Sequence, residues 1–135
     1  MEITQQADYA VRAILDLTLR PNGERASCEE IARRQGIPVA FLTKICSRLA
    51  ADGFVQSQRG VNGGVWLARP AQEITLLEVV EAIDGPILLN ECVSPNGACT
   101  FGDDCPMKPI WCDTQAELVQ RLKTATFANL NGNGH

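Results

Sequence analysis

Ser27-Cys-Glu-Glu-Ile-Ala-Arg-Arg-Gln-Gly36-Ile-Pro38-Val-Ala-Phe-Leu-Thr-Lys-Ile-Cys-Ser-Arg-Leu-Ala-Ala-Asp-Gly53 decides the fold. Ser27 and Glu30 have the spacing of a capping box, so a short helix opens there and runs through Ile31 and Ala32 to Gln35. Gly36 suits the residue just past a helix end. Pro38 starts a second helix at a position that tolerates proline, and this helix runs to about Asp52 and stops at Gly53. Leu42, Ile45, Cys46 and Leu49 share one face and are predicted to be buried; Thr43, Lys44, Ser47 and Arg48 fall largely outside that stripe. Two helices joined by Gly-Ile-Pro make a helix-turn-helix. On this stretch alone, a helical hairpin with a solvated polar face would read the same way.

The next residues narrow the choice. Phe54-Val55-Gln56-Ser57-Gln58 alternates like a strand, Arg59-Gly60-Val61-Asn62-Gly63-Gly64 is a turn, and Val65-Trp66-Leu67-Ala68 is a second strand. A hairpin directly after a helix-turn-helix is a winged helix. Its tip carries one cation, Arg59, among glycines that let backbone approach a phosphate or a narrow groove. Upstream, Ala7, Ala10, Val11, Ile14, Leu15 and Thr18 give residues 4–19 a helical stripe, with Thr4 as its cap. Asp8 lies in the first turns, where a helix dipole favours a carboxylate. Downstream, Thr75 and Glu78 form another capping box, opening a helix that ends at Gly85-Pro86. A last long helix follows Pro109 and runs to about Thr124 on an imperfect stripe of Ile110, Leu118, Leu122 and Ala125, predicted to pack on another subunit.

Four of the six cysteines fall between Cys92 and Cys112. Cys92, Cys99 and Cys105 are separated by six and then five residues, and Pro95, Gly97, Gly102 and Pro106 place them on a loop. Such a loop can point several sulfurs at one centre, as thiolate-bound metal or iron–sulfur sites require. Small buried thiols or a disulfide would satisfy the same spacing, which matches neither a zinc ribbon nor the dense ferredoxin run.

The whole chain bounds these readings. Its 135 residues are 45% hydrophobic and 21% charged, as in a globular domain. The N-terminus has no basic region followed by an apolar run, and no stretch approaches the roughly 20 apolar residues of a membrane span, so a cytoplasmic protein with reduced thiols and no membrane partner is expected. The net charge of −4 is uneven: residues 1–70 carry nine Lys/Arg and seven Asp/Glu, residues 71–135 three and nine. The basic half is the one suited to phosphates. Neither a Ser/His/Asp set nor a nucleotide loop is visible, so no enzyme and no small-molecule substrate are expected. His135 sits on a polar, glycine-rich tail and is not a credible ligand.

With winged helix, cysteine loop and terminal helix in this order, the chain resembles the IscR/NsrR/RirA family of bacterial transcription regulators over about residues 2–130. The carriers are Tyr9-Ala10-Val11-Arg12, Arg59-Gly60-Val61-Asn62-Gly63-Gly64, the Thr75–Gly85 helix, and Cys92, Cys99 and Cys105. The resemblance implies a homodimer on palindromic operator DNA, the final helix as the dimer contact, and an iron–sulfur cluster on the three loop cysteines that senses nitric oxide, iron supply or redox state. A 4Fe–4S cluster is expected over 2Fe–2S. Branches with a histidine ligand shortly after the third cysteine are not matched: Lys108 stands there, and a protonated lysine cannot coordinate. Asp8 falls where an NsrR-type branch takes its fourth ligand, from the first helix of the partner subunit. Cys112 has no role in the family pattern and stays open as a spare thiol or alternative ligand.

The expected protein is thus mainly α with a small β-hairpin wing. It comprises a winged-helix DNA-binding domain (1–85), a cysteine-rich cluster loop (86–106), a dimerisation helix (107–130) and a disordered tail (131–135). Metal ligands are Cys92, Cys99, Cys105 and Asp8. Thr43, Lys44, Ser47 and Arg48 face the major groove, and Arg59, with Gly60 and Gly63, the minor groove. The rival readings are a zinc-stabilised protein-interaction module that does not bind DNA, and a cluster-free thiol redox switch using Cys92, Cys99, Cys105 or Cys112.

Overall fold

A computed structural model describes residues 2–90, 93 and 104–130. Among these residues six α-helices and one hairpin follow in order: α1 (Gln5–Thr18), α2 (Cys28–Gln35), α3 (Val39–Ala51), β1 (Val55–Gln58), β2 (Gly64–Leu67), α4 (Leu76–Asp84), α5 (Lys108–Thr124) and α6 (Phe127–Leu130). The mainly helical winged-helix architecture expected from the sequence is the one observed.

The local signals act as expected. The Thr4 hydroxyl accepts from the Ala7 amide at 3.1 Å and caps α1. Both capping boxes are closed, Ser27 with Glu30 and Thr75 with Glu78. Gly36 ends α2 at φ 66°, in the left-handed region that a Cβ disfavours. Pro38 is the cap residue of α3 rather than its first turn, which leaves every helical amide free to bond.

Helix α1 is the centre of the core. Ala7, Ala10, Ala13, Ile14 and Leu17 are buried, and the small alanines let α2, α3 and α4 approach it closely. Asp16 of α1 is buried as well and holds the guanidinium of Arg34 in α2 at 3.0 and 2.8 Å, with Gln35 at 3.1 Å. Burial alone would raise its pKa. Hydrogen bonds from Arg34 and Gln35, with the charges of Arg34 and Arg20, outweigh burial and hold the carboxyl below the usual carboxylate range.

In the wing, β1 and β2 pair antiparallel with Val55 opposite Leu67 and Ser57 opposite Val65. Ala26 joins as a short third rung through reciprocal bonds with Val65 of 3.0 and 2.7 Å. Gly63 is obligatory: a Cβ there would lie 2.2 Å from the Gln58 carbonyl oxygen.

The long C-terminal helix ends at Thr124, where the sequence places its end, and a short helix not expected from the sequence, α6, follows Ala125. The Ala125 carbonyl accepts from the Leu76 amide at 2.8 Å and the Phe127 amide donates to Ile74 at 3.1 Å, so the chain turns back toward the start of α4. Phe127 is then fully buried among the core residues. Helix α5 itself has no buried residue, and its Ile110 is 62% exposed.

Candidate nucleic-acid interface and thiol centre

Helix α3 sorts its residues as the periodicity requires. Leu42, Ile45, Cys46 and Leu49 are buried; Thr43, Lys44, Ser47 and Arg48 are exposed. Thr43, Ser47 and Arg59 come together with Ser57 and Gln58 around a cleft of about 350 Å³ between α3 and the wing. Hydroxyl, amide and guanidinium groups stand on its wall beside apolar surface such as that of Val65, and the polar groups suit phosphates and base edges. Arg59 and Gly60 are exposed at the wing tip, and among the described residues no hydrogen bond or ion pair engages Arg59. The Thr43 hydroxyl donates to the Val39 carbonyl at 2.9 Å, leaving its lone pairs outward.

Lys44 and Arg48 line a second cleft, of about 280 Å³, with Gln5, Gln6, Tyr9 and Phe41. Arg48 also donates to the Ala82 carbonyl at 3.0 Å, so it braces α3 against α4 as well as facing solvent. Gln5, Gln6 and Phe41 were missed as site residues. The signal available was their place on the first turn of a capped helix and on the polar side of α3.

Arg25 was missed too, since no periodicity marks it. Its guanidinium lies 4.0 Å from the centre of the Trp66 ring and donates to Gln58 Oε1 at 2.8 Å and to the Asn62 carbonyl at 2.6 Å. It pins the wing to the segment before α2 and so fixes where Arg59 stands.

Of the expected metal ligands, Cys92 and Cys99 lie outside the described residues. Cys105 is half-buried just before α5, where its carbonyl accepts from the Lys108 amide at 3.1 Å. Cys112 is exposed on α5. The Asp8 carboxylate is half exposed and accepts from Arg12 one helical turn on at 2.9 Å. Among the described residues no group of three His, Cys, Asp or Glu side chains converges. As donors, three thiolates and a carboxylate are a set that iron accepts. Among the described residues Cys105 is in no disulfide and the Asp8 carboxylate is held only by a half-exposed ion pair, which leaves both accessible to a ligand.

The two cysteines outside the loop line one cleft. Cys28 opens α2, Cys46 lies in α3, and both line the cleft between α3 and the wing. The neighbouring Cys46 lowers the Cys28 thiol to about 7, against burial and the charge of Glu29. The neighbouring Cys28, with burial, pushes Cys46 upward.

A family model described as "Rrf2: Iron-dependent Transcriptional regulator" matches residues 3–133. The HTH-type transcriptional regulator IscR of Escherichia coli O1:K1 / APEC is 34% identical over 133 residues, spanning 98% of this chain and 82% of the relative. Among solved structures, the fold is similar to CymR (YrzC), the global cysteine regulator of B. subtilis, at TM-score 0.80 and 20% identity, covering 100% of this chain and 99% of that one. It is similar to T. potens IscR at TM-score 0.78 and 22% identity, covering 100% and 89%. No described helix is long and apolar enough to cross a membrane.

Proposed function

Since the chain belongs to the Rrf2 family of transcriptional regulators, we propose that it is a homodimer that binds operator DNA with an affinity set by an iron–sulfur cluster responding to nitric oxide, iron or redox state. The observation that carries the DNA reading is the shared cleft of α3 and the wing, where Thr43, Ser47 and Arg59 present donors and acceptors on one surface. In this reading α3 enters the major groove, with Thr43, Lys44, Ser47 and Arg48 toward the bases and phosphates. Arg59 follows the adjacent minor groove, and Gly60 and Gly63 allow the backbone to come close.

Helix α5 supports the dimer. Leu118 and Leu122, expected on the stripe facing another subunit, pack against this chain's own core instead, while Ile110 near the start of the helix is exposed and leaves apolar surface for a second copy of the chain to cover. The segment 86–106 is then the cluster-binding region between the 1–85 DNA-binding unit and α5, with Cys92, Cys99 and Cys105 as thiolate ligands and Asp8 of the partner subunit's α1 as the fourth. When bound, an iron–sulfur cluster supplies redox-active iron with an exchangeable corner. The chain's own contribution is the connection: α1 packs on α3, so a group held between Asp8 of one subunit and the cysteine segment of the other biases how the two recognition helices are set. A cluster state coupled to two arrangements of those helices changes operator affinity by the difference in its interaction with them.

The test is selection from a library of random double-stranded DNA with anaerobically purified protein, followed by light scattering of the complex. Recovery of a two-fold symmetric sequence bound by two chains is expected. A protein that enriches no sequence, whether loaded or stripped by chelator, overturns the reading.

A further inference from the structure

We propose that Val61 is a specificity-determining residue of the wing: an apolar contact to the minor groove, beside Arg59, that selects A·T over G·C at the base pair beneath it. The inference rests on the DNA-binding function proposed above and names what one further residue of that interface reads.

Val61 stands apart from the other exposed apolar residues. Among the described residues, the other large exposed apolar side chains run from 40% exposure at Leu130 to 62% at Ile110, and the rest of each lies against neighbours. Val61 reaches 103%, so no part of its surface is covered. The turn that carries it is nevertheless pinned. The Gly63 amide donates to the Gly60 carbonyl at 2.9 Å, closing the turn across Val61 and Asn62. The Asn62 carbonyl accepts from Arg25 at 2.6 Å, and Arg25 is itself seated on the Trp66 ring. A β-branched side chain on a fixed turn has little freedom left to lose, so contact with a partner costs it little entropy.

Its position and chemistry say what that partner is. Val61 lies two residues from Arg59, the only cation between Val55 and Leu67, and that span has no Asp or Glu to repel phosphates. An isopropyl group can neither hold a phosphate nor bond to a base edge. It can pack against the sugar walls and floor of the groove that Arg59 follows. On that floor A·T and G·C present the same kinds of acceptor, and G·C adds one group, the guanine N2 amino donor. Beneath Val61 this amino group loses its water and meets no acceptor, and an unpaired donor of this kind costs about tenfold in affinity or more. An A·T pair has no donor to strand. Val61 therefore selects by excluding the wrong pair.

The experiment remakes the duplex recovered by selection with each A·T pair replaced in turn by inosine·C and by G·C. These two share their major-groove edge and differ in the minor groove by the N2 amino group alone. Binding is read by fluorescence anisotropy at fixed salt. At one position in each half-site, wild type should bind inosine·C about as tightly as A·T and G·C about tenfold more weakly. Val61→Ala readmits water to the amino group, and the Val61→Thr hydroxyl accepts from it, so in both variants the gap should fall below about threefold. Their unfolding temperatures should match wild type, since the side chain touches nothing in the fold. A gap that survives both variants overturns the inference, and its loss in Arg59→Ala would assign the selection to the arginine instead. Wild type that binds its duplex with no amino effect at any position overturns the inference alone. A protein that enriches no duplex overturns the proposed function, and Val61's role with it.

Discussion

Asp16 of α1 and Arg34 of α2 form a two-point ion pair of 3.0 and 2.8 Å, with Asp16 only 3% exposed, and this pair holds the helix-turn-helix to the central helix. Removing the carboxylate leaves Arg34 with its longer, more exposed contact to Glu30 at 3.5 Å and takes from Gln35 its acceptor. Because Arg34 keeps 27% of its side chain exposed, Asp16→Ala should cost about 3 kcal/mol, the low end for broken buried pairs. Since the folded-state pKa is depressed, the contribution is full above the unfolded value of 3.8 and is lost as pH falls through the folded value. Urea unfolding should therefore show a wide gap between wild type and variant at neutral pH that closes in strong acid. A gap independent of pH would contradict the assignment.

Phe127 predicts a second stability effect. It is fully buried although it lies beyond the long helix, in a short one tied to Ile74 and Leu76 by backbone bonds. Phe127→Ala should cost about 3–5 kcal/mol, as large aromatic truncations in cores do. Thermal unfolding would read this directly, and a loss under about 1 kcal/mol would mean the C-terminal return is not part of the core.

Arg59 stands at the wing tip with no described partner, positioned through Arg25 and Trp66. Arg59→Ala should weaken binding to the selected duplex by about 1–3 kcal/mol at fixed salt if the guanidinium reaches a base edge. Fold stability should not change. Unaltered affinity would remove the wing from the interface.

Asp8 carries the fourth-ligand proposal. Among the described residues its carboxylate is engaged only by Arg12, one turn away in a half-exposed pair of the kind worth about 0.3–0.5 kcal/mol, so it is readily released to a metal. Asp8→Ala should leave the dimer intact while the cluster's absorption decays faster under oxygen or chelator. An unchanged spectrum and lifetime would assign Asp8 to its exposed ion pair alone.

What was legible in the sequence was local. The capping boxes at Ser27 and Thr75, the left-handed Gly36 and the buried stripe of α3 depend on neighbours within a turn or two, so their spacing alone specifies them. The polar face of α3 and the wing arginine followed from the same periodicities. The illegible features join distant residues. Asp16 finds Arg34 across two helices, Arg25 stacks on Trp66, and Phe127 returns to Ile74. In each case the side chain looks ordinary in its own helix or loop, and only packing gives it a partner. The cluster ligands stand apart: the thiol-rich loop was visible, but Asp8 was assigned by family resemblance, and Cys92 and Cys99 lie outside the described residues.

The central claim is that a cluster on Cys92, Cys99 and Cys105 sets affinity for DNA. The direct measurement is the ratio of dissociation constants for the selected duplex between anaerobically loaded protein and the same protein stripped by chelator, with Cys99→Ser as a third arm. The account predicts a brown, iron- and sulfide-containing protein, a ratio of about tenfold or more, and a Cys99→Ser protein that matches the stripped form. Equal affinities across the three, or a colourless zinc-bound protein with unchanged DNA binding, would contradict it.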